Sequence, residues 1–113
     1  MIAINLHNKK FKALENSNNG EVSSSTIFHY RQNGKVISAT YTGGDIIQGF
    51  LVGKVVENHL EFTYQHINLK MELMTGKCIS IPLTLPDGKI QLEEKWEWTC
   101  RDYSKGTSLL IEI

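Results

Sequence analysis

Apolar and polar residues alternate with a period of two along most of the chain. In "KVISATYT" (35–42), one face carries Ile37, Ala39 and Tyr41, and the other carries Val36, Ser38, Thr40 and Thr42. Successive side chains of a β-strand point to opposite faces, so this pattern is typical of a strand with one buried face. Two further segments repeat it, with Leu60, Phe62, Tyr64 and His66 on one face of "LEFTYQHI" and Ile90, Leu92, Glu94, Trp96 and Trp98 on one face of "KIQLEEKWEWT".

Turn signals separate these segments at short intervals. Asn33-Gly34 and Asp87-Gly88 are the strongest, because Asn or Asp followed by Gly supplies the positive φ of a tight hairpin. No segment shows capped helical periodicity, so no helix is predicted. We predict about eight or nine strands, at 2–7, 9–15, 21–31, 35–42, 46–56, 59–67, 71–83, 89–100 and 107–113.

The predicted fold is all-β, with residues 1–113 forming a single β domain. Short connections favour an antiparallel up-and-down meander, because no long segment is available for a Greek-key return. Such a meander buries its apolar face either by closing into a small barrel of the calycin type or by remaining a strongly coiled single sheet.

The glycine-rich stretch "ATYTGGDIIQGFLVGKV" (39–55) has two interpretations. A phosphate-binding loop would lead into a helix N-terminus, but the residues after Gly43-Gly44 alternate like a strand. We therefore predict that Gly43-Gly44 form a tight connection. Gly49 and Gly53 would then permit strong twist or a close backbone approach.

Charge and composition exclude several classes of function. The 113-residue chain has 12 basic and 12 acidic residues, so it offers no positive field for a nucleic-acid backbone. No apolar run approaches the ~20 residues of a membrane-spanning helix. The first residues do not resemble a signal peptide, which predicts a cytoplasmic protein with Cys78 and Cys100 as free, packed thiols.

Glu94 is the residue that departs from the apolar pattern of its face. A carboxylate among apolar side chains is costly unless it is paired, protonated or displaced to a rim. We treat Glu94 as a candidate ligand-binding residue with Trp96 and Trp98, although two tryptophans on one face are also typical of a core. The potential polar partners of Glu94 are His66, Tyr30, Tyr41, Tyr64 and Arg101. No spacing predicts a metal site, and nothing indicates a cofactor or a catalytic nucleophile.

Two family resemblances follow from longer stretches. Tyr41 and Gly53, and again Tyr64 and Gly76, stand twelve residues apart, which is similar to the spacing in MORN hairpin repeats. The segments "ATYTGGDIIQGFLVGKV", "LPDGKIQLEEKWEWT" and "GTSLLIEI", within 11–112, resemble a family of small bacterial proteins that are often labelled N-acetylglutamate synthase or left uncharacterised. This chain has "WTCRD" where "WTSGD" is common in that family. The label implies transfer of an acetyl group.

Three functional hypotheses follow. The leading one is a non-enzymatic β-barrel that binds a small molecule, or a partner protein through a sheet edge. The second is the acetyltransferase activity that the family label implies, with Glu94 as its base. The third is a structural module that associates with copies of itself through an open sheet edge.

Overall fold

Eight of the period-two segments form strands in the computed structural model, which describes residues 4–113. The strands are β1 (Lys10–Asn16), β2 (Ile27–Asn33), β3 (Val36–Gly43), β4 (Ile46–Val56), β5 (His59–Asn68), β6 (Leu73–Thr84), β7 (Ile90–Trp98) and β8 (Lys105–Glu112). The described residues contain no helix that could cross a membrane.

The strands form one closed antiparallel barrel. Each strand pairs with the next along the chain, and β1 pairs with β8 to complete the ring. Of the two predicted architectures, the barrel is therefore confirmed and the open coiled sheet is wrong. A closed ring has no unpaired strand, so association through a sheet edge is also wrong.

Two predicted strands differ from the structure. The predicted strand 2–7 does not form within its described part, and residues 2 and 3 lie outside the described residues. Instead, the Asn5 side chain accepts a hydrogen bond from the His7 N–H, which bends the chain. The predicted strand 21–31 begins only at Ile27. The other seven predicted strands agree with β1 and β3–β8 to within two residues at each end.

Local side-chain hydrogen bonds explain the late start of β2. The Ser23 N–H donates to Thr26 Oγ1 at 3.1 Å, and the Ser25 N–H donates to Ser23 Oγ at 3.2 Å. Such bonds satisfy backbone groups that would otherwise pair with a neighbouring strand. Residues 17–26 therefore form a loop, which we call the mouth loop.

The two ends of the barrel are built differently. We call the end at which β1 begins the base, and the end at which β1 finishes the mouth. At the base, the buried Leu6 joins the core, and its N–H donates to Gln32 Oε1 at 2.9 Å. Phe11 and Tyr30 are fully buried in the same half, with ring centroids 5.3 Å apart. The mouth loop lies at the other end, since it connects the end of β1 to the start of β2.

Candidate functional site

A small cavity lies inside the barrel in the half near the mouth. Its volume is about 50 Å³, and the mouth-loop residues Gly20, Glu21 and Val22 form part of its wall. Half of the remaining wall residues are Phe, Tyr or Trp, namely Phe28, Tyr41, Phe62, Tyr64, Trp96 and Trp98. An apolar enclosure with a few polar groups is the usual composition of a small-molecule site.

Glycines make room for three of these rings. Each ring lies where the side chain of its cross-strand partner would begin, so a Cβ atom at that glycine would clash with it. The three pairs are Tyr41 with Gly49, Tyr64 with Gly76, and Trp96 with Gly106. The rings can therefore lie against the wall of the barrel. The predicted close backbone approach is confirmed at Gly53, where a Cβ atom would clash with the Glu61 carbonyl oxygen, whereas Gly49 makes room for a side-chain ring.

Contacts between the rings hold this wall in place. Phe28 stacks on Tyr41 with centroids 4.7 Å apart, and Trp96 meets Trp98 edge to face at 5.4 Å. Stacked and edge-to-face pairs stabilise a core beyond the area that they bury. Both tryptophan N–H groups point to polar partners, Trp98 Nε1 donating to the Asn19 carbonyl at 2.9 Å and Trp96 Nε1 to Asn16 Oδ1 at 3.3 Å.

Glu94 lies in the wall of the cavity on β7, and the side chain points inward as its apolar neighbours do. The residue is 6% exposed. The Ser108 hydroxyl on β8 donates to Glu94 Oε1 at 3.2 Å, and Ser80 on β6 stands opposite Glu94 in the strand register. Within the described residues, Glu94 Oε2, Ser80 Oγ and Tyr30 Oη are all buried without a hydrogen-bond partner. Because most buried polar groups of a folded protein are paired, each such atom needs an explanation, and a bound ligand is one.

Burial raises the pKa of Glu94 to about 7, and the nearby hydroxyls of Ser80 and Ser108 oppose that rise. The cause is the loss of hydration, which disfavours the charged carboxylate. Burial, followed by the charge of Glu94, also raises the pKa of Tyr30 well above its usual value. Glu94 therefore titrates near neutral pH, and the Tyr30 phenol stays neutral.

His66 forms a polar network with the mouth loop. Its Nε2 lies 2.7 Å from Glu21 Oε1, and its Nδ1 lies 3.0 Å from the Tyr41 hydroxyl. The other Glu21 oxygen accepts a hydrogen bond from Asn68 Nδ2 at 3.0 Å. A neutral imidazole that donates from Nε2 to the carboxylate and accepts at Nδ1 from the phenol satisfies every partner.

Burial lowers the pKa of His66, although its hydrogen bond to Glu21 and the negative charge there act in the opposite direction. The imidazole is accordingly neutral near pH 7. A second anchor of the same loop is Asn16 Nδ2, which donates to the Val22 carbonyl at 2.8 Å. The mouth loop is thus attached to the barrel at several points around the cavity.

Six of the eight predicted site residues line the cavity. These are Glu94, Trp96, Trp98, His66, Tyr64 and Tyr41. Tyr30 does not contribute to the wall and is fully buried. Arg101 lies outside, in the turn after β7, where its half-exposed side chain pairs with Glu72. The orientation of Arg101 could not be predicted from the alternation, because Arg101 lies beyond the end of the strand. Its φ of 57° is not that of a strand residue.

Of the partners proposed for Glu94, His66 and Arg101 pair with other residues, whereas Tyr30, Tyr41 and Tyr64 lie close enough for the charge of Glu94 to add to the rise that burial causes in the pKa of each. The hydrogen bond to Glu94 comes from Ser108, whereas His66 binds Glu21 and Arg101 binds Glu72. The contact with Ser108 depends on the register between β7 and β8, which no local pattern specifies. Glu21 lies in the mouth loop, where no strand alternation predicts the direction of a side chain, so its contact with His66 could not be predicted.

Asn68 could have been found from the sequence, because it continues the inward face that contains His66. Within residues 4–113, no three His, Cys, Asp or Glu side chains lie close enough to hold a metal ion together. Cys78 and Cys100 are free thiols, as predicted.

The closed eight-stranded meander with an interior cavity defines a class, the small up-and-down β-barrels, of which lipocalins and streptavidin are examples that hold one small ligand. A family model described as "Avidin-like protein" matches residues 4–113, and the chain belongs to this family. No curated protein and no solved structure matches the chain significantly.

This family assignment corrects both resemblances drawn from the sequence. The N-acetylglutamate synthase label is wrong for this chain, and so is the relation to MORN repeats. The spacing behind the second resemblance has a structural origin in only one of its two units. Tyr64 and Gly76 are direct cross-strand partners, whereas Tyr41 is paired with Gly49 and not with Gly53.

Proposed function

We propose that the protein is a non-enzymatic binder of a small molecule, held inside the barrel near the mouth. The observation that carries this proposal is the aromatic cavity beside a buried carboxylate oxygen, Glu94 Oε2, that lacks a partner among the described residues. Binding sites combine an apolar enclosure with a few precisely placed polar groups. Membership of the avidin-like family supports the same function.

The size of the cavity limits the ligand. A volume of about 50 Å³ has room for roughly three or four water molecules. A compact ligand fits this space directly, whereas a larger one must displace the mouth loop. A ligand would enter at the mouth loop, because Gly20, Glu21 and Val22 form the wall of the cavity at that end.

Tryptophan fluorescence provides a direct test, since Trp96 and Trp98 are the only tryptophans of the chain and both line the cavity. We would titrate the protein with a panel of cationic, neutral and anionic small molecules that includes biotin, the ligand of streptavidin. A ligand that binds inside the barrel should change the emission and raise the melting temperature.

Cys78→Leu tests the location, because Cys78 lines the cavity and a larger side chain there would fill it. The matched control is Thr63→Leu, at an exposed position of β5. Binding should be lost in the first variant and kept in the second. The proposal fails if no member of the panel changes emission or melting temperature, or if Cys78→Leu binds as the wild type does.

A further inference from the structure

We propose that the ligand carries a small cationic group with N–H donors, of the amidinium or ammonium type, and that this group binds beside Glu94. This inference rests on the proposed function and names the chemical class of its ligand. Three features of the cavity support it: the charges in its wall, the unpaired oxygen of Glu94, and the aromatic rings around it.

The charged side chains in the cavity wall are acidic. They are Glu94 and, at the mouth, Glu21, and neither lysine nor arginine lines the cavity within the described residues. His66 contributes no compensating positive charge, because burial keeps its imidazole neutral near pH 7. A cation would be attracted to this cavity, and an anion would be repelled by it.

The oxygen atoms of Glu94 are unequally satisfied. Ser108 donates to Oε1, while no group of the described residues meets hydrogen-bond geometry at Oε2. The nearby Ser80 hydroxyl stabilises the carboxylate only in part, because burial still raises the pKa of Glu94. A buried carboxylate without a cation is costly, and a charge-assisted N–H donor removes most of that cost. The hydroxyls of Ser80 and Tyr30 are also buried without a partner, but neither residue lines the cavity, so Glu94 Oε2 is the unpaired oxygen that a ligand there can reach.

The aromatic wall suits the same group. The ring faces of tryptophan, tyrosine and phenylalanine attract cations, and this attraction strengthens when the site is shielded from water. Trp96 stands two residues from Glu94 on the same strand face, and Trp98 and Tyr64 extend this wall, with ring centroids 5.9 Å apart. An acidic group within an aromatic enclosure is the combination that organic cations require.

Because the charge of Glu94 depends on pH, the affinity for a cation should depend on pH as well. Burial raises the pKa of Glu94 to about 7, so the carboxylate is protonated at lower pH and no longer attracts a cation. The affinity for a permanent cation should then fall by about tenfold for each pH unit below that value.

The groups that face Glu94 from the surrounding strands are Tyr30, Tyr41, Tyr64, Cys78, Ser80 and Ser108, with Glu21 and His66 at the mouth. Burial raises the pKa of the three phenols and of the Cys78 thiol, which therefore stay neutral. Protonation of His66 at low pH would weaken cation binding further, in the same direction as protonation of Glu94.

The test compares acetamidinium, acetamide and acetate, which share one shape and differ in charge. Calorimetric titrations would be run at about pH 8 and about pH 6. At the higher pH, acetamidinium should bind at least tenfold more tightly than acetamide, and acetate should not bind measurably. At the lower pH, the affinity for acetamidinium should fall by about tenfold. Benzamidine, benzamide and benzoate repeat the comparison with a larger body.

Glu94→Gln should abolish the preference for the cation and its pH dependence. The matched control is Glu93→Gln, because Glu93 is exposed on the outer face of the same strand and should keep both. If Glu94→Gln does not fold, the comparison of the three ligands with the wild-type protein at two pH values still decides the question.

The outcomes separate the two proposals. If acetamide or acetate binds as tightly as acetamidinium, the inference of a cationic ligand is wrong, while the proposal of binding inside the barrel stands. The same inference is wrong if the affinity for acetamidinium does not change with pH. If neither the ligand series nor the wider panel alters tryptophan emission, the proposed function itself fails.

Discussion

The ring of Tyr41 on β3 occupies the place where a side chain at its cross-strand partner Gly49 on β4 would begin. The same relationship joins Tyr64 to Gly76 and Trp96 to Gly106. In each pair the missing Cβ atom lets a large ring lie against the barrel wall. These glycines therefore help to keep the interior open, since rings displaced from the wall would enter the cavity that they now line.

Gly49→Ala should displace the Tyr41 ring. We expect the substitution to lower the free energy of unfolding by roughly 1–3 kcal/mol, which is typical of adding atoms to a packed core. Urea denaturation measures this change. Val52→Ala, at a position of the same strand that is 58% exposed, is the control and should cost less than about 0.5 kcal/mol. Equal effects of the two substitutions would contradict the close packing of Tyr41 on Gly49.

Trp96→Ala should remove a core residue as well as a wall of the cavity. The side chain is 8% exposed, so its loss should cost about 3–5 kcal/mol of unfolding free energy. The control is Phe50→Ala, because Phe50 lies on the outer face and is 53% exposed. A cost below about 1 kcal/mol for Trp96→Ala would show that this ring does not belong to the core.

Glu94→Gln should change how stability depends on pH. The native pKa of Glu94 is raised from 4.5 to about 7, so the folded state binds the proton more tightly than the unfolded state does. Its contribution to stability is complete below about pH 4.5 and is lost as the pH rises through 7. A rise of this size corresponds to about 3 kcal/mol.

The variant has no such proton. The stability of Glu94→Gln relative to the wild type should therefore increase across this pH range, by up to about 3 kcal/mol. Thermal unfolding at a series of pH values measures the difference. Glu93→Gln, at an exposed position of the same strand, should show a difference of less than about 0.5 kcal/mol. A pH-independent difference for Glu94→Gln would mean that Glu94 does not bind its proton more tightly in the folded state.

Glu21→Gln should lower the pKa of His66 further. The Glu21 hydrogen bond and its negative charge both raise that pKa against the effect of burial, and glutamine retains only an uncharged acceptor. An NMR titration of the His66 ring would measure the shift. Glu15→Gln is the control, since Glu15 is exposed on β1. An unchanged or increased pKa of His66 in Glu21→Gln would exclude the contact between Glu21 and His66 in solution.

The same substitution should loosen the mouth loop. Glu21 joins the loop to His66 and Asn68 on β5, so losing its charge weakens both hydrogen bonds. Amide hydrogen exchange in residues 17–26 should become faster, and acrylamide should quench the tryptophans more strongly. Unchanged exchange and quenching would show that the other attachments of the loop, through Asn16, Ser17, Asn19 and Thr26, hold it without the charge of Glu21.

Several features followed from local pattern. The alternation along β3, β5 and β7 predicted which apolar side chains point inward, because the period of a strand leaves only two faces to choose between. It placed Glu94 on the same face but left open whether the carboxylate is buried or displaced to a rim. The hairpin turn at Gly34 was also predictable, because Asn33-Gly34 is typical of a tight turn. The structure agrees, since Gly34 has a φ of 61°, which favours glycine. The cytoplasmic location stays a prediction.

The sequence by itself determined the all-β class, the meander order and the inward set of residues, since each depends on neighbours a few positions apart. Only the tertiary structure decided closure of the barrel, the contact between Ser108 and Glu94, and the position of Glu21 beside His66. These features depend on strand register and on how a loop folds across an open end. Both are set by contacts between residues far apart in the chain, which a period-two pattern does not encode.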